Sequence, residues 1–132
     1  METVCKVGLA LIRSGKLLLC RKRGLSSLIL PGGKIEKGET PLDCLRRELS
    51  EELGEVELID PQPLGIYSDQ MAGDASRVIE VQLYSGELKG EPRPTSEIIE
   101  LVWFGSDGDS ALLAPSLSNE IIPDLKKRGL LP

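Results

Sequence analysis

Three glutamates, Glu48, Glu51 and Glu52, stand close together in the stretch GKIEKGETPLDCLRRELSEELGE, residues 33–55. On a helix, residues three and four apart are neighbours, so Glu48 faces both of the others. Like charges at that spacing destabilise a helix by about 0.2–0.5 kcal/mol per pair. Arg46 and Arg47 offset part of that repulsion. Two readings of the cluster are open. One is an ordinary solvated acidic face. The other is a divalent-cation site, because Mg²⁺ takes a few carboxylate oxygens together with water and phosphate oxygens. Helix geometry alone does not choose between them.

The helix that would carry these acids is well marked. Thr40 is placed as an N-cap, and Pro41 then falls at the first helical position, where its missing N–H costs nothing. Gly54 is placed to end the helix in a left-handed conformation. Leu42, Leu45, Leu49 and Leu53 form one apolar stripe, the face that must pack on a core.

The spacing around the helix is more specific than the cluster. Gly33 is followed after five residues by Glu39, and after seven more by Arg47-Glu48-Leu49-Ser50-Glu51-Glu52-Leu53-Gly54. This resembles the signature box of the Nudix hydrolases, in which Gly, Glu, Arg-Glu-apolar, Glu-Glu, Gly and a final apolar residue recur with these gaps. Glu55 stands where the family has its final apolar residue, with Val56 one step later. Leu30-Pro31-Gly32-Gly33 is also similar to the usual entry to that box.

The resemblance implies an activity: hydrolysis of a diphosphate linkage in a nucleoside diphosphate derivative. The substrate would be a damaged nucleoside triphosphate cut to monophosphate and pyrophosphate, or ADP-ribose or another nucleotide sugar. A non-catalytic nucleotide sensor is the remaining alternative within the family. It also implies that Glu48, Glu51 and Glu52, with the Gly33 carbonyl, hold Mg²⁺, or Mn²⁺ in its place. Glu48 is the candidate base within the box, and Arg47 is expected to orient Glu39 or Glu48 rather than touch substrate.

Basic residues at the end of the second long strand contact substrate in many relatives, which makes Arg21 and Lys22 candidates. Asn119, near the start of the last helix, lies where base-reading members carry an Asn; an N-cap is its plainer role. Tyr84 or Tyr67 could stack on a base. Glu97 and Glu100 are candidates for a further carboxylate, and an exposed acid is the plainer reading of each.

Composition bounds the rest. At 132 residues the chain is read as one domain, 1–132, long enough for a real core. Hydrophobic residues at 40% and charged residues at 28% place it among ordinary globular chains. The net charge of −5 argues against a nonspecific grip on nucleic acid. The charge is uneven, with six basic residues and one acid in residues 1–23, but seven acids and four bases in residues 33–55. A positive patch beside an acidic one suits a polyphosphate. The absence of histidine excludes histidine acid–base chemistry, Ser-His-Asp triads and His-ligated zinc.

Cys5, Cys20 and Cys44 have no metal-binding spacing and read as reduced core residues of a cytoplasmic protein. No leader pattern and no apolar run of about 18 residues is present, so no membrane insertion is expected. The expected partner is a small nucleotide, and the chain is expected to be a monomer or a homodimer.

The elements needed to position the box can be read in order. Strands are expected at Thr3–Ile12 and Leu17–Lys22 around a Ser14-Gly15-Lys16 turn, with a brief one at Leu28–Leu30. Beyond the helix, Val56–Ile59 and Leu64–Ser68 flank Asp60-Pro61-Gln62-Pro63, whose prolines confine the run to an edge or a kink. Residues 69–76 read as a polar turn, 77–88 as a long alternating strand, 86–96 as a mobile Gly/Pro-rich rim, and 98–104 as the last strand. A final helix is expected from Ser118 or Asn119 to about Arg128, stopped by Gly129. Strands on both sides of one helix, with a second helix at the end, predict an α+β chain with a mixed β-sheet between helical layers. The family resemblance implies the same α/β/α sandwich.

Overall fold

A computed structural model of the chain describes residues 2–132. Seven strands divide between two sheets. Strands β1 (Glu2–Ala10), β4 (Gly32–Lys34), β5 (Glu57–Met71) and β6 (Asp74–Lys89) form one in the order β4-β1-β6-β5. In it β1 runs parallel to β6, while β4 and β5 pair antiparallel with their neighbours, so the sheet is mixed. Strands β2 (Ile12–Arg13), β3 (Lys16–Lys22) and β7 (Ile98–Phe104) form the second, antiparallel sheet in the order β2-β3-β7. The short segment from Leu28 to Pro31 ties the two together, Ile29 pairing Cys20 of β3 through reciprocal backbone bonds and the Pro31 carbonyl accepting the Leu9 N–H of β1.

The alternation of strand side chains decides where the helices pack. Leu18 and Cys20 of β3 join Val7, Leu9 and Leu11 in a core beneath helix α1 (Pro41–Leu53). Leu17 and Leu19 face the other way and join Val81, Leu83 and Leu28 beneath helix α2 (Ile122–Lys127). Each layer is thus held by one parity of the same strands. The expected α1 stripe supplies Leu45, Leu49 and Leu53 to its core, all nearly solvent-free, with Leu42 packed at its border. Cys20 and Cys44 are buried as expected, but Cys5 is exposed, because it lies near the start of β1, short of Val7 and Leu9, whose face it shares and whose core α1 covers.

Several boundaries differ from expectation for local reasons. Ser14 and Gly15, both at positive φ, make the β2–β3 turn so tight that Arg13 pairs directly with Lys16. Strand β5 runs unbroken past both prolines, because it lies at the sheet edge and absorbs them in register shifts around Asp60 and Leu64. The polar turn expected over residues 69–76 shrinks to Ala72-Gly73, with strand on either side. The last helix begins as a π-helical turn, Leu117–Ile121, before the α segment.

The Gly/Pro-rich segment after β6 is not a loose rim. The Thr95 hydroxyl and Thr95 N–H donate to the Glu51 and Glu52 carbonyls at 2.5 and 3.0 Å, and the Arg93 N–H donates to the Leu53 carbonyl at 2.9 Å. These bonds satisfy carbonyls that the last turn of α1 leaves without helical partners.

Candidate active site

The site is built where α1 crosses the Gly32-Gly33 turn into β4. Thr40 caps the helix, its hydroxyl accepting the Asp43 N–H at 3.1 Å. Gly32 sits at φ +140°, and a Cβ there would lie 2.0 Å from the Val7 carbonyl oxygen. A Cβ on Gly33 would lie 2.4–2.7 Å from the carboxylate of Glu48. Two glycines therefore let the backbone run directly against the acids of the helix.

Glu52 is 4% exposed, and one carboxylate oxygen accepts the Gly32 N–H at 2.9 Å. Burial raises its carboxyl to about 8, opposed by the Gly32 bond and reinforced by the nearby charge of Glu48. Burial also raises the carboxyl of Glu48, although Arg47 at 2.9 Å pulls it back. Glu51 differs: it is turned to solvent and meets Arg47 at 3.4 Å. Arg47 is the hub of this cluster. Its Nε and Nη2 bind both oxygens of Glu39 at 2.7 and 2.9 Å, as a paired fork. This bond, with the Glu36 N–H on the same carboxylate, holds Glu39 down to about 2.

Glu48 and Glu52 open onto a cleft of about 520 Å³, within the range of small-molecule sites. Gly32 and Gly33 form part of its wall, and Lys6, Lys22, Arg23, Lys34 and Arg77 bring positive charge to it. Val4, Ile79, Val81 and Leu117 give it an apolar floor. Glu97 also lines the cleft and pairs with Lys22 at 3.5 Å.

The expected substrate contacts divide. Lys22 reaches the cleft, but Arg21 points away and pairs with Glu100 on β7 at 2.8 Å. Strand alternation puts the two on opposite faces, with Lys22 on the side of Leu18 and Cys20 that α1 covers. Tyr84 packs against the α1-side core, and Tyr67 donates to Asp124 of α2 at 2.5 Å; neither lines the cleft. Asn119 is no N-cap: it lies within the π-helical turn, and its Nδ2 donates to Asp69 of β5 at 2.8 Å. Lys6 and Arg77 line the cleft as well, outside the residues that the sequence motifs mark. The signal was present for Lys6, a lone cation among the apolar residues of β1.

Among the described residues, no three acids already stand in the arrangement of a formed metal cage. The donor chemistry nevertheless fits a hard divalent cation. Two carboxylates meet the Gly32-Gly33 turn in a partly desolvated corner, and burial is the first cause of the raised proton affinity of both.

A mixed sheet between helices, with a glycine turn presenting helix acids to a basic cleft, is the arrangement of a Nudix hydrolase. The model of the NUDIX domain matches residues 5–117, and the chain belongs to that family. It is similar to the 8-oxo-dGTP diphosphatase of Escherichia coli strain K12, 32% identical over 107 residues, or 77% of this chain and 76% of that protein. Among solved structures, it is similar to a NUDIX hydrolase from Nitrosomonas europaea, with TM-score 0.78 at 23% identity over 99% of this chain and 93% of that one. It is also similar to a MutT NUDIX hydrolase from Burkholderia pseudomallei, with TM-score 0.68 at 25% identity over 79% and 84% of the two chains. The protein is an enzyme, a Nudix hydrolase of small nucleotides. No helix among the described residues is long and apolar enough to cross a membrane.

Proposed function

We propose that the enzyme hydrolyses a nucleoside triphosphate carrying a damaged purine, of the 8-oxo-dGTP kind, to the monophosphate and pyrophosphate. The observation that carries this reading is the juxtaposition of Glu48 and Glu52 with Lys22 and Lys6 in one cleft that ends on an apolar floor. Carboxylates and cations together suit a polyphosphate, and the floor suits a base. The relative from Escherichia coli named above supports the choice of substrate.

Glu48, Glu51, Glu52 and the Gly33 carbonyl would hold Mg²⁺, for which Mn²⁺ could stand in. When bound, the ion neutralises phosphoryl oxygens and lowers the pKa of a water. For Glu51 this requires leaving its loose contact with Arg47, an exposed pair that costs little to break. Glu48 takes the proton of the attacking water, and Arg47, locked to Glu39, fixes where the Glu48 carboxylate sits. Lys22 binds phosphate oxygens, and Asn119 contacts the edge of the base after releasing Asp69.

The test is a panel of 8-oxo-dGTP, dGTP, ADP-ribose and dinucleoside polyphosphates with Mg²⁺, scored for the products released. Monophosphate and pyrophosphate from the oxidised triphosphate at the highest kcat/KM is the expected result. Preferential release of AMP and ribose phosphate from ADP-ribose would move the substrate to the sugar nucleotides. No Mg²⁺-dependent turnover of any of them would overturn the reading.

A further inference from the structure

Of the five cations that line the cleft, two are already held by carboxylates: Lys22 by Glu97 at 3.5 Å and Arg77 by Glu2 at 2.9 Å. Arg23 and Lys34 are exposed, where water solvates their charge. Lys6 is different. It is half-buried, and among the described residues no carboxylate lies within ion-pair distance of it. Burial, the first cause, and the neighbouring charge of Lys22 both disfavour its ammonium, and Glu52 and Glu48 only partly compensate.

Strand register adds an independent observation. Lys6 of β1 stands directly opposite Lys34 of β4, one position from the Val7–Gly33 pair. Residues directly opposite in an antiparallel pair share a face, and like charges there are destabilising. Folding alone gives no reason to place a half-buried lysine, without an ion-pair partner among the described residues, directly opposite a second lysine at the mouth of this cleft. A multiply charged anion that reaches both lysines pairs the half-buried charge of Lys6 and screens it from Lys34.

We propose that Lys6 is a polyphosphate-binding residue, gripping the substrate's phosphate chain from the sheet side of the cleft, across from Glu48 and Glu52. This rests on the reading of the cleft as a nucleoside triphosphate site and adds to it a cation from β1, outside the signature box. Lysine suits the place: a compact charge on a flexible stem can follow phosphate oxygens between the ground state and products.

The test compares Lys6→Met and Lys6→Arg with the wild-type enzyme. Three quantities are read: calorimetric Kd for a non-hydrolysable α,β-methylene triphosphate, inhibition by inorganic pyrophosphate, and the split between KM and kcat. Losing a charge-assisted hydrogen bond to phosphate should weaken analogue and pyrophosphate binding by about tenfold or more in Lys6→Met, with KM rising in step. Lys6→Arg should restore most of the affinity. Lys6→Met should melt no lower than wild type without ligand, since the lysine has no internal partner to lose. Unchanged analogue and pyrophosphate affinities in Lys6→Met, with wild-type turnover intact, would overturn the role of Lys6 alone. A wild-type protein that binds neither probe and turns over no nucleotide would overturn both this role and the reading beneath it.

Discussion

Arg47 clasps both carboxylate oxygens of Glu39, with Nε 2.7 Å from one and Nη2 2.9 Å from the other. Its remaining nitrogen lies 2.9 Å from Glu48, so the guanidinium carries the position of the loop before α1 onto an acid of the cleft. Lysine would keep the charge but lose the fork. Arg47→Lys should therefore reduce kcat by about 10–100-fold, the usual loss when a residue supporting a site ligand is removed. The side chains are partly exposed, so stability should fall by only about 1 kcal/mol or less. Steady-state kinetics beside a denaturant melt separates the two. Equal, large losses in both would make Arg47 a folding residue instead.

The two glycines of the turn make opposite predictions. Gly33→Ala puts a methyl group into the Glu48 carboxylate, the far end of a movable side chain. The fold should survive while turnover drops, because the acid is pushed aside. Gly32→Ala meets the backbone oxygen of Val7, which has nowhere to go, at a φ that L-residues avoid. It should cost roughly 2 kcal/mol or more in stability. Thermal melts of both variants, with activity measured on whatever remains folded, check the contrast.

What the sequence disclosed and what it hid follow from the range of the forces involved. Helix α1 was legible to the residue, because Thr40, Pro41, Gly54 and the leucine stripe act locally. The edge position of β5 followed from Pro61 and Pro63, each without an N–H for a ladder. The departures all depend on residues distant in sequence. Arg23 follows Lys22 to the cleft against simple alternation, where β3 ends and its pairing with β7 shifts register. Tyr84 is claimed by the core of a helix some thirty residues earlier in the chain. Glu51 and Glu52 are adjacent in sequence yet about 100° apart around α1; Glu52 borders the leucine stripe, and its packing against the Gly32 turn completes its burial while Glu51 stays solvated.

Docking of the segment before β7 onto the end of α1 gives a third prediction. Thr95→Val removes the hydroxyl bond to the Glu51 carbonyl while leaving the backbone bond to Glu52 in place. Loss of one such bond should cost about 1 kcal/mol. Amide exchange should quicken over residues 90–97 and in the last turn of α1 together, since each caps the other. Faster exchange in the segment alone, with α1 unaffected, would contradict the coupling.

The buried carboxyl of Glu52 makes stability depend on pH in a direction opposite to that of most acids. In the unfolded chain it ionises near its ordinary value of 4.5, whereas in the fold it holds its proton to about 8. Below 4.5 both states are protonated, and the group's contribution is fully present. Between those values the unfolded chain binds fewer protons than the fold, so stability falls as pH rises and levels off above about 8. Glu39, held down to about 2, has the opposite effect, but its window closes near 4.5; above it Glu48, also raised, acts in the same sense as Glu52, and Lys6, lowered, acts against them. In a chelator, the wild-type melting temperature should therefore drop between pH 5 and pH 8. Glu52→Gln keeps an oxygen for the Gly32 N–H but has no proton to lose. Its melting temperature should stay flatter over that range and exceed wild type at pH 8, while its turnover is abolished. Adding Mg²⁺ should raise wild type at pH 8 and leave Glu52→Gln nearly unmoved, because the charge that disfavours folding there is the charge a cation would use. Parallel pH profiles for the two proteins would mean that Glu52 is already ionised and compensated within the fold, and that the cation site lies elsewhere.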